Sequence, residues 1–380
     1  MRSVMIAGGG IGGLSVGIAL RRAGFQVKIF EQADKISPLG SSLSLFSNAI
    51  ACLRKLGIAD QIVAQGSVIN AIQIRAKDSG KLLANAPLDA LHSELGEVSV
   101  CVTRAVLHRA LLHEFGESNF NLDAKLCAFE PLADGVRASF TNGRVETGDM
   151  LIGADGLNSA TRQQLINDGP PRYSGYGAWL CVTDFPHQKI PSGIVSETWG
   201  RGERFGIVPS GTDKVAWFLI ENRAAPYPAG LTGAKNELLD KLRDWPSLMR
   251  ELVDASADEN IVRVSFFERP VRKKWGANRV LLLGDAIHPF VPNLGQGACQ
   301  AIEDAVALGD AAMRYPDFMD IQTAYEGARL SRATMISRQA SRISMPAQTE
   351  NPLFCWLRDR FIPLIPTSLH IRQARQFMTL

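Results

Sequence analysis

The hydrophobic pattern opens with a strand-length apolar run, Ser3-Val4-Met5-Ile6-Ala7, which passes without a break into Gly8-Gly9-Gly10-Ile11-Gly12-Gly13. Over residues 14–23 the spacing becomes helical, with Leu14, Ile18 and Ala19 on one face. Val27-Lys28-Ile29-Phe30 reads as a second strand, ending at Glu31 and Gln32. Residues 41–65 read as a loop, entered through the small-residue stretch Leu39-Gly40-Ser41-Ser42-Leu43-Ser44, and two helices, the first over 48–56 and stopped by Gly57. Ile72-Gln73-Ile74-Arg75 alternates as a strand does, and Lys81-Leu82-Leu83-Ala84 can pair with it across Asp78-Ser79-Gly80. A strand over 98–102 follows. Thr103 is placed to cap a helix over 104–114 whose apolar face carries Leu107, Leu111 and Phe115.

Farther along, 136–140 alternates, Thr141-Asn142-Gly143 supplies a turn, and 144–146 returns. An apolar strand over 149–152 ends at Gly153-Ala154-Asp155-Gly156, and 159–165 reads as a short helix. Between 175 and 220 the pattern changes to short, aromatic-rich strands broken by Gly and Pro, with no long helix until 232–254. A buried-type strand over 279–283 then ends at Gly284-Asp285-Ala286, a Pro- and Gly-rich loop leads to a helix over 298–313, and helical stretches over 317–344 and 352–377 close the chain. These periods predict an α/β fold. A discontinuous Rossmann-like dinucleotide domain takes 1–70, 98–172 and 262–345, and a domain on a mainly antiparallel sheet takes 71–97 and 173–261. A helical segment takes 346–380.

Composition narrows the partners. Apolar content of 46% and charged content of 21% are ordinary for a globular protein. A net charge of +3 without a basic run excludes nucleic acid as the expected partner. Six scattered cysteines with no C-x-x-C pair fit reduced, mostly buried thiols rather than a disulfide framework or zinc site, and no metal is expected. No leader precedes the first strand and no apolar stretch reaches ~18 residues, so a cytoplasmic protein without integral membrane association is expected, as monomer or homodimer.

Gly8, Gly10 and Gly13 fill the G-x-G-x-x-G template, with Ile11 and Gly12 inside it. The first glycine makes the turn, the second lets backbone approach a pyrophosphate, and the third lets helix and strand pack closely. Glu31 stands 23 residues after Gly8, where a ribose hydroxyl pair needs an acceptor. The bland alternative is a glycine turn used only for packing. Gly13-Leu14-Ser15-Val16-Gly17 also matches G-x-S-x-G, but an elbow serine must sit on the turn, and Ser15 falls inside the helix.

Three blocks in order give the chain a family resemblance. The glycine fingerprint with Glu31 is the first. Asp155-Gly156-Leu157-Asn158-Ser159-Ala160-Thr161-Arg162 fits a D-G-x-x-S-x-x-R segment, and Gly284-Asp285-Ala286-Ile287-His288-Pro289 with Pro292-Asn293-Leu294-Gly295-Gln296-Gly297 fits G-D-A-x-H and P-x-x-G-Q-G. Over about 1–345 the chain resembles the single-component FAD-dependent monooxygenases similar to para-hydroxybenzoate hydroxylase. The resemblance implies a GR2-type FAD domain, FAD reduced by NADH or NADPH, molecular oxygen added as a C4a-hydroperoxide, and transfer of oxygen to a small aromatic substrate in a dry pocket. No second glycine fingerprint occurs, which agrees with a family lacking a separate nicotinamide domain.

The resemblance also distributes roles. Asp285 would accept from the FAD ribityl chain, or else cap a helix. Gly295, Gln296, Gly297 and Ala298 would bring backbone N–H groups and a helix start to the flavin. Arg104 would reach FAD phosphate or ribose, or lie solvated in its first helical turn. Ser44 would touch the flavin and Leu126 the adenine side; Asp155 would be structural as much as functional, with Arg162 paired to it or to phosphate. His288 would either fix its loop by a hydrogen bond or share in catalysis. Arg204 is the foremost substrate contact, its alternative being a surface strand arginine, followed by Asn293, Trp217, Phe218 and Phe290. The nearest subgroup is that of urate, salicylate and hydroxynicotinate hydroxylases. Urate hydroxylases share the arginine matching Arg204 but carry aspartate at Asn293 and tyrosine at Ala216, which argues against urate. Of other readings, a flavin halogenase would need a W-x-W-x-I-P segment absent from 195–225. A dehydrogenase without oxygen transfer, and a non-enzymatic dinucleotide-fold protein, complete the alternatives. The apolar and basic 346–380 segment could cover the domain junction, form a dimer contact or meet a membrane surface.

Overall fold

A computed structural model describes residues 2–36, 41–228 and 230–380; Leu39 and Gly40 of the expected loop lie outside them. The apolar run Ser3–Ala7 becomes the inner strand of a six-stranded sheet. It pairs in parallel with Gln26–Phe30 on one side and Met150–Gly153 on the other, and Val280–Leu282 extends the sheet in parallel beyond Met150–Gly153. Val4, Ile6, Ile152 and Leu281 are fully buried, as strands covered on both faces require. One cover is the helix Ile11–Arg22 packed against Gly297–Arg314, where Gly309 admits Ala19 so closely that a Cβ would stand 2.7 Å from it. The other is an antiparallel trio, Leu126–Pro131, Val136–Phe140 and Val145–Gly148, whose Phe140 ring stacks on Phe30 at 4.3 Å.

The second sheet has seven strands, antiparallel except where Ile194–Trp199 runs parallel to Ala71–Ala76. Its spine, Arg172–Asp184, is thirteen residues long rather than one of several short strands. Val262–Glu268 pairs with that spine, so the edge strand assigned to the dinucleotide domain belongs to this sheet. Trp179, Phe205, Trp217 and Leu219 bury one face under Lys235–Lys241 and Ser247–Asp254, while Ala178, Val208, Ala216 and Ile220 turn into the main core. The helix expected over 232–254 is thus two short ones; Pro246 stands at the cap of the second, where continuing the first would cost its N–H bond.

Ser42–Leu45, read as loop, is instead a strand paired antiparallel with Val100–Thr103. Its four residues do alternate, but too briefly to separate from a loop. Thr103 caps Arg104–Phe115 through the Val106 N–H at 3.4 Å. The C-terminal pattern resolves into Phe318–Ala347, Pro352–Phe361 and Thr367–Met378. The last helix lies against Ser47–Lys55 and Leu82–Pro87, with Phe377 edge-on to Phe46 at 5.3 Å. All six cysteines are free; only Cys127 is exposed, and burial pushes Cys52, Cys101 and Cys299 up to about 12. No helix among the described residues is long and apolar enough to cross a membrane.

Candidate active site

The glycine turn opens a cavity of about 390 Å³ at the carboxyl ends of the parallel strands. Gly8 has φ +102°, and a Cβ there would stand 2.3 Å from the Ala154 carbonyl oxygen; at Gly13 it would stand 1.9 Å from the Gly8 carbonyl oxygen. Both glycines are therefore packing requirements. Gly10 differs: a Cβ would meet nothing within 4 Å, because this residue faces the open cavity with Ile11 and Gly12. The Glu31 carboxylate is held at the rim by the Gly9 N–H at 2.6 Å and the Ala33 N–H at 3.0 Å, beside Gln32.

Leu126 and Asp155 line the same cavity. Asp155 accepts from the N–H and hydroxyl of Thr161, each at 3.0 Å, and from Ser159, which caps Ala160–Ile166; its oxygens serve the local turn. Arg104 extends its exposed side chain to the cavity and makes no ion pair among the described residues. Asp285 opens onto the cavity from the turn Gly284–Ala286. Crowding by protein atoms pushes its carboxyl upward, against the pull of His288 and Arg104. Gly297 and Ala298, the first residues of the helix Gly297–Arg314, complete the wall, and a Cβ on Gly297 would meet nothing. Such a helix start carries about +0.5 charge. An acid for ribose, a bare backbone approach, an unpaired arginine and a helix start together fit an adenine dinucleotide.

Gly295, at φ +63°, turns the chain from this cavity to a second of about 230 Å³ under the antiparallel sheet. Its walls are apolar, with Ile72, Ile74, Val195 and Phe218 from the sheet, Phe46 from the cap of Ser47–Lys55 and Phe377 from the last helix. Ser44 lies at its edge. Arg204 is 1% exposed, so it is no surface arginine. It donates to Glu197 at 3.1 Å and to the Asn293 side-chain oxygen, and its Nε has no partner. Asn293 donates in turn to the Ala340 carbonyl at 2.9 Å and faces Ser344 and Tyr176. Trp199 donates to Glu197 at 2.8 Å. His370, from the last helix, also lines the cavity; its Nε2 is buried without a partner and burial lowers its pKa.

Several expectations need correction. Trp217 faces the other side of its strand and donates to Ser256 at 2.9 Å, and Phe290 packs beside His288; only Phe218 of these aromatics reaches the cavity. His288, a catalytic candidate, lines neither cavity. Its Nε2 lies 2.7 Å from Asp304, which also accepts from the Gly284 N–H at 3.0 Å and Arg329 at 2.7 Å. Burial alone would raise Asp304, but His288 and Arg329 hold it down at about 2. Arg162 pairs with neither Asp155 nor a cavity-facing group: it binds Asp168 at 2.6 Å and the Ile287 carbonyl at 2.7 Å. The Gln296 side chain turns inward to Asn48 and Gln300, each donating at 3.0 Å, and leaves only its backbone near the cavities. Glu197 and His370 went unread; no local pattern marks either one.

Comparison with known proteins agrees with this geometry. Residues 1–315 match the family described as FAD binding domain. The chain is 36% identical over 366 residues to the aurachin C monooxygenase/isomerase of Stigmatella aurantiaca, covering 96% of this chain and 94% of that protein. It is 32% identical over 338 residues to the FAD-dependent urate hydroxylase of Klebsiella oxytoca, covering 86% of each. Among solved structures, Klebsiella pneumoniae HpxO complexed with FAD and uric acid superposes with a TM-score of 0.91 at 26% identity, covering 99% of this chain and 96% of that one.

Proposed function

The chain belongs to the para-hydroxybenzoate hydroxylase-like FAD-dependent monooxygenases, close to the urate and salicylate hydroxylases, and on that premise we propose the co-substrates and the residue roles that follow. It binds FAD and hydroxylates an aromatic or heteroaromatic substrate through a flavin intermediate. NADH or NADPH supplies the electrons and molecular oxygen the inserted atom. Bound FAD supplies the redox and oxygen-activating chemistry.

The protein's part is holding, orienting and drying. Gly10 and the start of Ile11–Arg22 receive the pyrophosphate, and Glu31 the ribose hydroxyls. Arg104 neutralises phosphate, and Asp285 accepts from the ribityl chain. The backbone of Gly295–Ala298, with the positive start of Gly297–Arg314, would hold the flavin end of FAD and favour negative charge there. His288 and Arg162 act as positioning residues for the turn that carries Asp285.

The observation that carries the substrate reading is buried Arg204, tied to half-buried Glu197 and Asn293 at one side of an apolar cavity. Arg204 orients a hydroxyl, oxo or carboxylate group on the ring while Phe218, Ile72 and Ile74 exclude water. The urate hydroxylases among the relatives act on a small, polar ring. Asn293 is neutral and Ala216 small in this chain, which favours a less polar aromatic than urate.

Substrate-stimulated NAD(P)H oxidation across phenols, aromatic acids and hydroxylated heteroaromatics, with labelled oxygen traced into product, tests this reading. Reduction of the flavin without label in any product would leave only a dehydrogenase. Purified protein that stays colourless in FAD would end the reading altogether.

A further inference from the structure

The helix Pro352–Phe361 is folded with its apolar side outward. At about 100° per residue, Leu353, Phe354, Trp356, Leu357 and Phe361 fan over one side, and Cys355 and Arg358 lie on the opposite one. It is the latter pair that is buried, with Arg358 donating to the Gly200 carbonyl at 3.0 Å. Leu353, Phe354, Trp356 and Phe361 are each more than half exposed, and Leu364, Ile365 and Leu369 continue the exposed apolar surface into the next helix. A surface helix normally does the reverse.

Charge is concentrated in the same place. Residues 351–380 hold four arginines and one aspartate, a balance of +3, so the chain's whole net charge of +3 resides there and the first 350 residues are balanced. Arg358 and Arg375 are engaged by Asp359 and Glu94, whereas Arg360 and Arg372 are exposed and have no ion-pair partner among the described residues. Exposed Trp, Phe and Leu beside unpaired arginines match the interface of an anionic bilayer. A second copy fits worse, because a two-fold contact would gather the arginines of both copies into one interface whose one acid, Asp359, is already paired with Arg358. We infer that the surface formed by Pro352–Phe361 and the exposed start of Thr367–Met378 seats the protein peripherally on an anionic membrane. The seat then adjoins the active site, since the inner side of Thr367–Met378 lines the substrate cavity through His370, Ala374 and Phe377.

The test floats the full-length, FAD-loaded protein with vesicles of phosphatidylcholine alone or of phosphatidylcholine and phosphatidylglycerol in equal parts, at low and high salt. Binding is expected to the mixed vesicles only and to fall with salt. Trp356→Glu or Phe361→Glu should weaken it roughly tenfold or more, and Arg360→Gln about fivefold. Met319→Glu, at an exposed methionine on another helix, should leave it unchanged, with flavin content equal throughout. No flotation would overturn the inference. So would binding that ignores lipid charge, or a concentration-dependent dimer that Trp356→Glu dissolves in a protein that never floats.

Discussion

Gly10→Ala separates the two readings of the glycine turn, ligand approach and packing. Gly10 sits at φ −75° and ψ −171°, a conformation open to any L residue, and an added Cβ would touch nothing within 4 Å. Alanine there limits the unfolded chain, worth about 0.4–1 kcal/mol, but caps a helix less well than glycine by a comparable amount. Stability of the flavin-free protein should therefore change by less than about 0.5 kcal/mol. The same methyl would stand where the cavity floor meets a pyrophosphate, and one methyl group forced into a close contact costs roughly 1–3 kcal/mol. That converts to about 5- to 150-fold weaker FAD binding. Gly13→Ala should behave oppositely, because its Cβ would lie 1.9 Å from a backbone oxygen and the turn must shift even when no ligand is present. Flavin-stripped variants would be unfolded in urea and titrated with FAD by fluorescence quenching. Unchanged FAD affinity in Gly10→Ala, or a stability loss equal to that of Gly13→Ala, would refute the assignment of Gly10 to the ligand.

Asp304→Asn leaves Arg329 and His288 without their shared charge, and urea unfolding should register a loss of roughly 3–5 kcal/mol; a change under about 1 kcal/mol would deny the network its structural weight. Acid should act in two steps. His92 is lowered by burial, so stability is complete above about 6.5 and declines as the unfolded state protonates below it. Asp304, held at about 2, adds stability that is present above its ordinary 3.8 and lost as pH falls from there towards 2. His92→Gln should shrink the first limb of the stability–pH curve, leaving the share of His370, which burial also lowers, and should leave the second limb intact. Arg204→Gln should lower kcat/KM for the aromatic by about 10- to 150-fold, from roughly 1.5–3 kcal/mol for a charged hydrogen bond, with FAD affinity unchanged by quenching titration. Phe377→Ala removes a cavity wall and the contact with Phe46; it should cost about 3–5 kcal/mol and raise the share of NAD(P)H oxidised to hydrogen peroxide without product.

What could be read from the chain beforehand follows the range of the interactions. The strand–glycine–helix unit, the cap at Thr103, and the hairpin over 136–146 rest on neighbours a few residues apart, and each stands where the pattern put it, while Ser159, read as the first residue of its helix, is the cap one position before it. The choice between Trp217 and Phe218 does not. Both are large aromatics in one strand, and a period of two cannot say which face meets the cavity until Lys235–Lys241 and Ser247–Asp254 have claimed the other. Gln296 turns away because Asn48, 248 positions earlier, supplies a donor to its oxygen. His370 reaches the cavity on a helix whose position depends on Phe46 and on Arg332, which donates to the Gln376 and Phe377 carbonyls. No spacing within 346–380 encodes those contacts.

The charged side chains of the family segments act chiefly on one another. Arg162 of the second block grips the carbonyls of Ala286 and Ile287 in the third, at 3.2 and 2.7 Å. From the opposite side Asp304 takes the Gly284 N–H and the His288 ring, so the turn bearing Asp285 is clamped at both ends. Asp285 itself has no such tie among the described hydrogen bonds and opens onto the cavity. Ionic groups buried this deeply are costly to desolvate and often stabilise little more than an apolar core would. Their use here is therefore better understood as geometric. On the proposed role of Asp285 towards the ribityl chain, its carboxylate cannot ride on a mobile loop, and strongly charged residues that line neither cavity are what hold that loop still.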